Sequence, residues 1–519
     1  MRPRRAGAAA PGPGSAPRPR GMECLPGGVP AHPCEEVAVT RTPVEQLPAS
    51  KAPSRPVWVN SSLVVAALAS GAAAYFALPA SMDEPARRMA AIFVVALVLW
   101  VSEAVPLFAT SMLVIAGEAW WLTLQTGWER PIAYTDIYAS LGSPIIFLFL
   151  GGFILARGVQ KEGIDVQLAA ALMRPFGKHP GGVLAGVMFI TALFSMFMSN
   201  TATTAMMIVL VQPLALQVPA GDRFRRGLVL AVPFAANVGG IGTPIGTPPN
   251  AIALEALRAR GLEINFFEWM AFALPLLVGT LAVMWLLLFV LYHPGHEGLR
   301  VEVKSEFKLT RKALVVYMKF AVTLAFWLGS PWLDQFFGLN LPTAVVAVVP
   351  AAVLTATKVI SRKDFNSLEW DVLVLIAGGI ALGKGMGLTG LDAWLVESLP
   401  TSQMSFFMLV ASCCLFVVAL GTVMSHTVAT TIVMPLAIAV ASGVASEPQV
   451  QVLAVMVAIA SSYAVALPIS TPPNAIAYGS DLVDTRDIMR VGILTCVVAT
   501  VIIITTGPAV VSLILRVVG

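Results

Sequence analysis

Charge is scarce in this chain. Of 519 residues only 12% are Asp, Glu, Lys or Arg, while 57% are hydrophobic. A soluble domain carries about a quarter charged residues. A water-exposed globular fold is therefore excluded, and apolar runs of helix-spanning length take its place. The net charge of +4 is too small to suggest a nucleic-acid partner and fits a bias of basic loops toward the cytoplasm. Cysteine is sparse too. Cys24, Cys34, Cys413, Cys414 and Cys496 show no metal-ligand spacing and give no disulfide framework. Cys413 and Cys414 lie in an apolar run and read as packing residues. Of the five histidines, only His426 falls within a membrane-spanning stretch. One such histidine, with no carboxylate or cysteine near it in sequence, supplies neither a nucleophile–base pair nor a metal cluster. The chain is therefore not expected to be an enzyme. The charge rings and symmetric filters of a channel are also missing.

What the chain does have is four short polar islands in apolar sequence. Ser199-Asn200-Thr201 is the first, and Gly240 to Ala253, containing Thr247-Pro248-Pro249-Asn250, is the second. Ser425-His426-Thr427 and Leu467 to Ala477, containing Thr471-Pro472-Pro473-Asn474, form the other pair. The pairs belong to a long internal repeat. Gly151-Gly152 is echoed by Gly378-Gly379 and Asp165 by Asp392, both at an offset of 227. The triplets repeat at an offset of 226 and the Thr-Pro-Pro-Asn islands at 224. Packing kinks alone do not account for such duplication.

Residues 1–56 are rich in Pro, Ala, Gly and Arg. They are expected to be a disordered N-terminal tail, with Met22 as a second candidate start. Residues 57–80 form a first transmembrane helix. A first repeat unit follows over 81–293, a cytoplasmic loop over 294–312, and a second unit over 313–519. Near Pro144 an apolar segment starts that runs on through Arg157, Lys161, Glu162 and Asp165, whose charges suggest a solvated face.

Residues 181–218 are too long for one span and are interrupted by the first triplet. Arg174 and Lys178 on one side and Arg223, Arg225 and Arg226 on the other put both ends in the cytoplasm. That makes a re-entrant hairpin with the triplet at its tip. Residues 227–257 read as a helix broken by glycine and proline. The second unit repeats the plan, with a hairpin over 404–441 and a broken helix over 450–478. Because the first unit ends at the cytoplasmic loop where the second begins, the two are inverted. The expected fold is an all-α polytopic membrane protein with two re-entrant hairpins in two inverted repeats. Inverted repeats with paired broken segments are the plan of secondary transporters, which bind at the repeat interface. The expected location is the cell (inner) membrane, with the N-terminus cytoplasmic.

Unwound backbone within a bilayer must be satisfied by protein, water or ligand. Helix N-termini suit an anion, and carbonyl and hydroxyl oxygens suit Na⁺. No Arg or Lys lies in the islands, so the charge of an anion must be balanced by dipoles, bound cations or a residue from elsewhere.

The duplicated triplet and Thr-Pro-Pro-Asn island resemble those of the divalent anion/sodium symporter family, over residues from about 57 to the end. The resemblance implies a homodimer of about eleven transmembrane helices and two hairpins per protomer, working as an elevator. It further implies Na⁺-driven carriage of di- or tricarboxylates such as succinate, or sulfate in some branches. Carried over by motif, one Na⁺ is implied among Ser195, Ser199, Asn200 and the backbone of Gly246. A second is implied among Gly421, Met424, His426, Ser470 and Pro472. Substrate is implied at Asn200, Thr201, Thr247 and Pro248, and at Ser425, His426, Thr427, Thr471 and Pro472. The second half departs from the pattern: His426 stands where the family has asparagine, and Gly421 where it often has a hydroxyl residue. An imidazole offers no amide oxygen and can bind a proton. A dicarboxylate exchanger or a proton-coupled carrier is therefore the alternative to a Na⁺ symporter.

Overall fold

The structure is a computed structural model and describes residues 57–79, 81–123, 131–295, 298, 310–339, 341–398 and 404–518. The expectations for the tail 1–56 and for most of the loop 294–312 lie outside these residues. All regular structure among the described residues is helical. In the first half the helices are α1 (Val57–Ala77), α2 (Glu84–Ser102), α3 (Leu107–Trp121), α4 (Tyr134–Tyr138), α5 (Pro144–Lys161), α6 (Ile164–Met173), α7 (Pro180–Ser195), α8 (Asn200–Gln217), α9 (Phe224–Gly239), α10 (Pro248–Arg258) and α11 (Phe266–Leu291). In the second they are α12 (Arg311–Phe337), α13 (Thr343–Ala356), α14 (Arg362–Asn366), α15 (Trp370–Thr389), α16 (Leu391–Ser398), α17 (Phe406–Val423), α18 (His426–Val444), α19 (Glu447–Ser461), α20 (Pro472–Tyr478) and α21 (Thr485–Val518).

Nine helices among the described residues are long and apolar enough to cross a bilayer. Two of them, α17 and α18, flank the second triplet. Helices α3, α7, α13 and α19 are apolar but shorter, and the proline-containing islands cut two more segments in pieces. Length alone therefore counts a different set of spans from the roughly eleven that the family resemblance implies.

Local chemistry sets the helix ends. Ser143 caps α5 by accepting from the Ile145 amide, and Pro144 fills the first turn, where no N–H is needed. Gly163, at φ 66°, ends the segment. The apolar run expected to continue past Asp165 is broken there, and α6 begins anew. Asn265 and Glu268 form a reciprocal capping box at the start of α11.

The two halves exchange partners. Helix α5 of the first packs on α13 of the second, and α15 of the second packs on α3 of the first. Both contacts are glycine-dependent. A Cβ at Gly151 would lie 2.5 Å from the Ala347 carbonyl, and one at Gly378 would lie 2.3 Å from Ser111 Cβ. Seven residues further on, Gly158 lies against Leu354 and Gly385 against Glu118, so each pair runs in the same direction. Successive spans cross a membrane in opposite directions, which sets α13 against α15. Helix α3 runs with α15, so α3 and its counterpart α13 are inverted. The broken helices exchange partners likewise: α10 packs on α18 and α19, and α20 on α8 and α9.

Arg157 and Lys161 do not form a solvated face. Lys161 Nζ donates to Val359 O at 2.8 Å and to Asp364 Oδ2 at 2.5 Å, and Arg157 lies 3.5 Å from Asp364 Oδ1. This cluster ties α5 to the link between α13 and α15. Burial alone would push the Asp364 carboxyl up. The Lys161 ammonium and the Ser361 hydroxyl and amide outweigh it and hold the carboxyl well below the usual carboxylate range. A carboxyl lowered in the fold contributes stability that is present at neutral pH. That stability is lost as pH falls below the unfolded value toward the folded one. Asp364→Asn is expected to cost about 2 kcal/mol, read as a lower unfolding midpoint in detergent. The gap from wild type should narrow on acidification. Equal midpoints at neutral pH would show that the cluster contributes nothing.

Candidate functional site

Each triplet opens a helix. Ser199 caps α8, its Oγ accepting from the Ala202 amide at 3.3 Å, and Ser425 takes the cap position of α18. Each Thr-Pro-Pro-Asn island does the same after an unwound loop. Thr247 precedes α10 and Thr471 precedes α20, with the proline pair in the first turn of each. Proline fits there because the first helical N–H groups have no intrahelical acceptor.

The unwound loops are held by their own asparagines. Asn250 Nδ2 donates to Gly240 O at 3.0 Å and Thr243 O at 2.8 Å. Asn474 Nδ2 donates to Val465 O and Leu467 O, both at 2.9 Å. Trp269 Nε1 donates to Ile241 O at 2.9 Å, and Thr243 Oγ1 donates to Met196 O beside the first hairpin tip. Asn237, fully buried on α9, crosses between halves, its Nδ2 3.1 Å from Thr471 Oγ1 and 3.4 Å from Asn474 Oδ1. None of these five side chains was singled out as functional from sequence. The Thr-Pro-Pro-Asn repeat was the available signal for Asn250 and Asn474. Asn237 and Trp269 had none, because neither lies in one of the repeated islands.

The four islands meet at a cavity of about 350 Å³, a size suited to a small molecule. Its polar wall holds Ser199, Asn200, Thr201, Gly246, Thr247 and Pro248 from the first half. Ser425, His426, Thr427 and Pro472 come from the second. The rest of the lining is mostly apolar and comes from the starts of α3 and α15 and from Phe149 and Phe153 on α5. Two carboxylates interrupt it, Glu369 and Asp371, and sequence reasoning missed both. Glu369 Oε1 accepts from Ser199 Oγ at 2.6 Å. The two lie 170 positions apart in sequence, and nothing local to Glu369 signals the meeting. Among the described residues lining the cavity there is no Lys or Arg.

Five of the residues singled out from sequence do not line this cavity: Ser195, Gly421, Met424, Ser470 and Thr471. Ser195 lies behind Asn200, Thr471 is engaged by Asn237, and Ser470 Oγ donates to Leu467 O at 2.7 Å. Ser195 Oγ lies 2.6 Å from Asn200 Oδ1 and 2.7 Å from Ala236 O. One hydroxyl proton serves two acceptors, so three oxygens crowd a position with a single donor. A Cβ placed on Gly240 would meet Asn200 Oδ1 at 2.7 Å and Gly246 O at 3.1 Å. The Gly246 carbonyl thus belongs to the same oxygen-rich corner, whose donor set suits a hard cation. Ser199, by contrast, turns its hydroxyl to Glu369. In the second half His426 is buried. Its Nε2 lies 3.4 Å from Thr247 Oγ1, and its Nδ1 is shut from solvent with no hydrogen-bond partner among the described residues. A Cβ at Gly421 would come within 2.8 Å of Ala464 Cβ, so no larger residue fits there without movement.

A multi-pass helical fold in which two inverted halves bring broken helices to one cavity defines a secondary membrane transporter. A family model described as "Citrate transporter" matches residues 97–460. The sodium-dependent dicarboxylate transporter SdcS of Staphylococcus saprophyticus is 30% identical over 449 residues, covering 80% of this chain and 85% of that one. SdcS of Staphylococcus aureus strain USA300 is 30% identical over 438 residues, covering 78% and 82%. In fold, the chain is similar to the YdaH transporter of Alcanivorax borkumensis, with a TM-score of 0.51 at 12% identity over 80% of this chain and 98% of that one. The chain belongs to the divalent anion/sodium symporter family.

Proposed function

We propose that this protein carries small dicarboxylate anions, with succinate as the type substrate, across the cell membrane by coupling to Na⁺. The observation that carries the reading is the convergence at one cavity of both triplets and both Thr-Pro-Pro-Asn islands. Helices α8, α10 and α18 present their first residues there, and the positive end of a helix favours an anion. The Ser195, Asn200, Ala236 and Gly246 oxygens supply a first Na⁺ position beside it. Two relatives bear names that state sodium dependence and dicarboxylate transport.

The polar wall belongs to the hairpins and broken helices, and the apolar wall to α3, α5 and α15. An elevator in which the first group slides along the second follows from that division. Lys358, Arg362 and Lys363 lie at the start of the α14–α15 region. The positive-inside bias puts that end in the cytoplasm, so this conformation faces inward. One observation favours a second reading, exchange or proton coupling: His426 replaces an amide oxygen with an imidazole. Thermal unfolding of the purified protein tests the ligand assignment. Succinate should raise the midpoint only when Na⁺ is present, because a ligand stabilises the state it binds. A succinate effect that is the same in Na⁺ and in choline would contradict coupling.

A further inference from the structure

We propose that Glu369 sets the charge of the anion this cavity accepts, admitting dianions and discriminating against trianions; the inference rests on the reading of the cavity as a carboxylate site. Three observations lead to it. First, Glu369 lines the cavity that the four islands share. Second, its Oε1 takes the hydroxyl proton of Ser199, the residue that caps α8, at 2.6 Å. The carboxylate therefore stands at the helix end best placed to hold an anion. Third, no Lys or Arg is among the described residues lining the cavity, while Asp371 adds a second acidic group on the same wall.

The charge balance follows from these positions. The formal side-chain charge around the cavity is negative before any ligand arrives. A helix N-terminus offers only about half an elementary charge, and bound cations supply the rest. Each carboxylate of the ligand draws on this limited set. A third would add to the repulsion from Glu369, in surroundings where like charges repel more strongly than in water. Ser199 cannot relieve the conflict, because its proton is already committed to Glu369.

The test uses the full-length protein in proteoliposomes at mildly alkaline pH, where the ligands are fully ionised. Glutarate and tricarballylate share a carbon chain and differ by one carboxylate. Each competes with labelled succinate under a saturating Na⁺ gradient. In the wild type tricarballylate should compete at least about tenfold more weakly than glutarate. Glu369→Gln should remove most of that difference, and Glu369→Asp, which keeps the charge, should preserve it. Equal competition by the two acids in the wild type overturns the inference without any variant. A Glu369→Gln protein that keeps the full difference overturns it too. If Asp relaxes the discrimination as much as Gln does, shape and not charge is responsible, and the inference again fails. A wild type that takes up no succinate under any gradient overturns the underlying reading of the cavity instead.

Discussion

Asn200→Ala should reduce Na⁺-driven succinate uptake by about a hundredfold while leaving the protein in the membrane. The residue stands where the proposed ion and anion positions meet. Its Oδ1 faces Ser195 Oγ at 2.6 Å, close to the Gly246 carbonyl, and its backbone opens α8 at the cavity wall. Truncation removes one oxygen from a proton-poor cluster and leaves Ser195 with Ala236 alone. A hundredfold loss corresponds to about 2.7 kcal/mol, within reach of one charge-assisted contact together with the desolvation it leaves behind. The fold should tolerate the change, because no element is held by Asn200 alone. Gly240→Ala makes the same point from the other side. Its Cβ would strike Asn200 Oδ1 at 2.7 Å, displacing the oxygen without deleting it, and uptake should fall with it. Size-exclusion profiles and membrane yield check folding. Undiminished uptake by Asn200→Ala would remove this residue from the site.

The second large effect is expected at His426. His426→Asn should lower the half-saturating Na⁺ concentration at least about fivefold, an energy of roughly 1 kcal/mol, comparable to one net hydrogen bond. An asparagine returns an amide oxygen to a position where the imidazole offers only nitrogen, a poorer partner for a hard cation. The check is a pair of matched Na⁺ titrations of succinate uptake, wild type against variant. Identical profiles would return His426 to a packing role and favour neither coupling scheme over the other.

The breaks in the fold were legible because proline, glycine and hydroxyl residues interrupt apolar runs. The prolines of the two islands open α10 and α20, and the triplets sit at the starts of α8 and α18. Duplication made the islands legible as one site, since Asn200 and His426 both line the cavity. The short helices were harder to read. Helices α4, α6, α14 and α16 have ten residues or fewer, too few for a clear period. Charges were read least well, because their meaning depends on distant partners. Lys161 meets Asp364 from 203 positions away, and Glu369 meets Ser199 across halves of the chain. Neither pairing leaves a mark in local sequence. Ser195 was implied at an ion position by motif; its hydroxyl makes two short oxygen contacts, whereas the Ser199 hydroxyl is drawn off by Glu369.

Uptake of labelled succinate into proteoliposomes tests the central claim most directly. The purified protein is compared under an inward Na⁺ gradient, under a proton gradient alone, and with neither gradient but with succinate inside. Accumulation that requires the Na⁺ gradient is the predicted result and would show that the Ser195–Asn200 corner couples the ion to the anion. Uptake that ignores Na⁺ and needs only internal succinate would contradict symport and make the protein an exchanger.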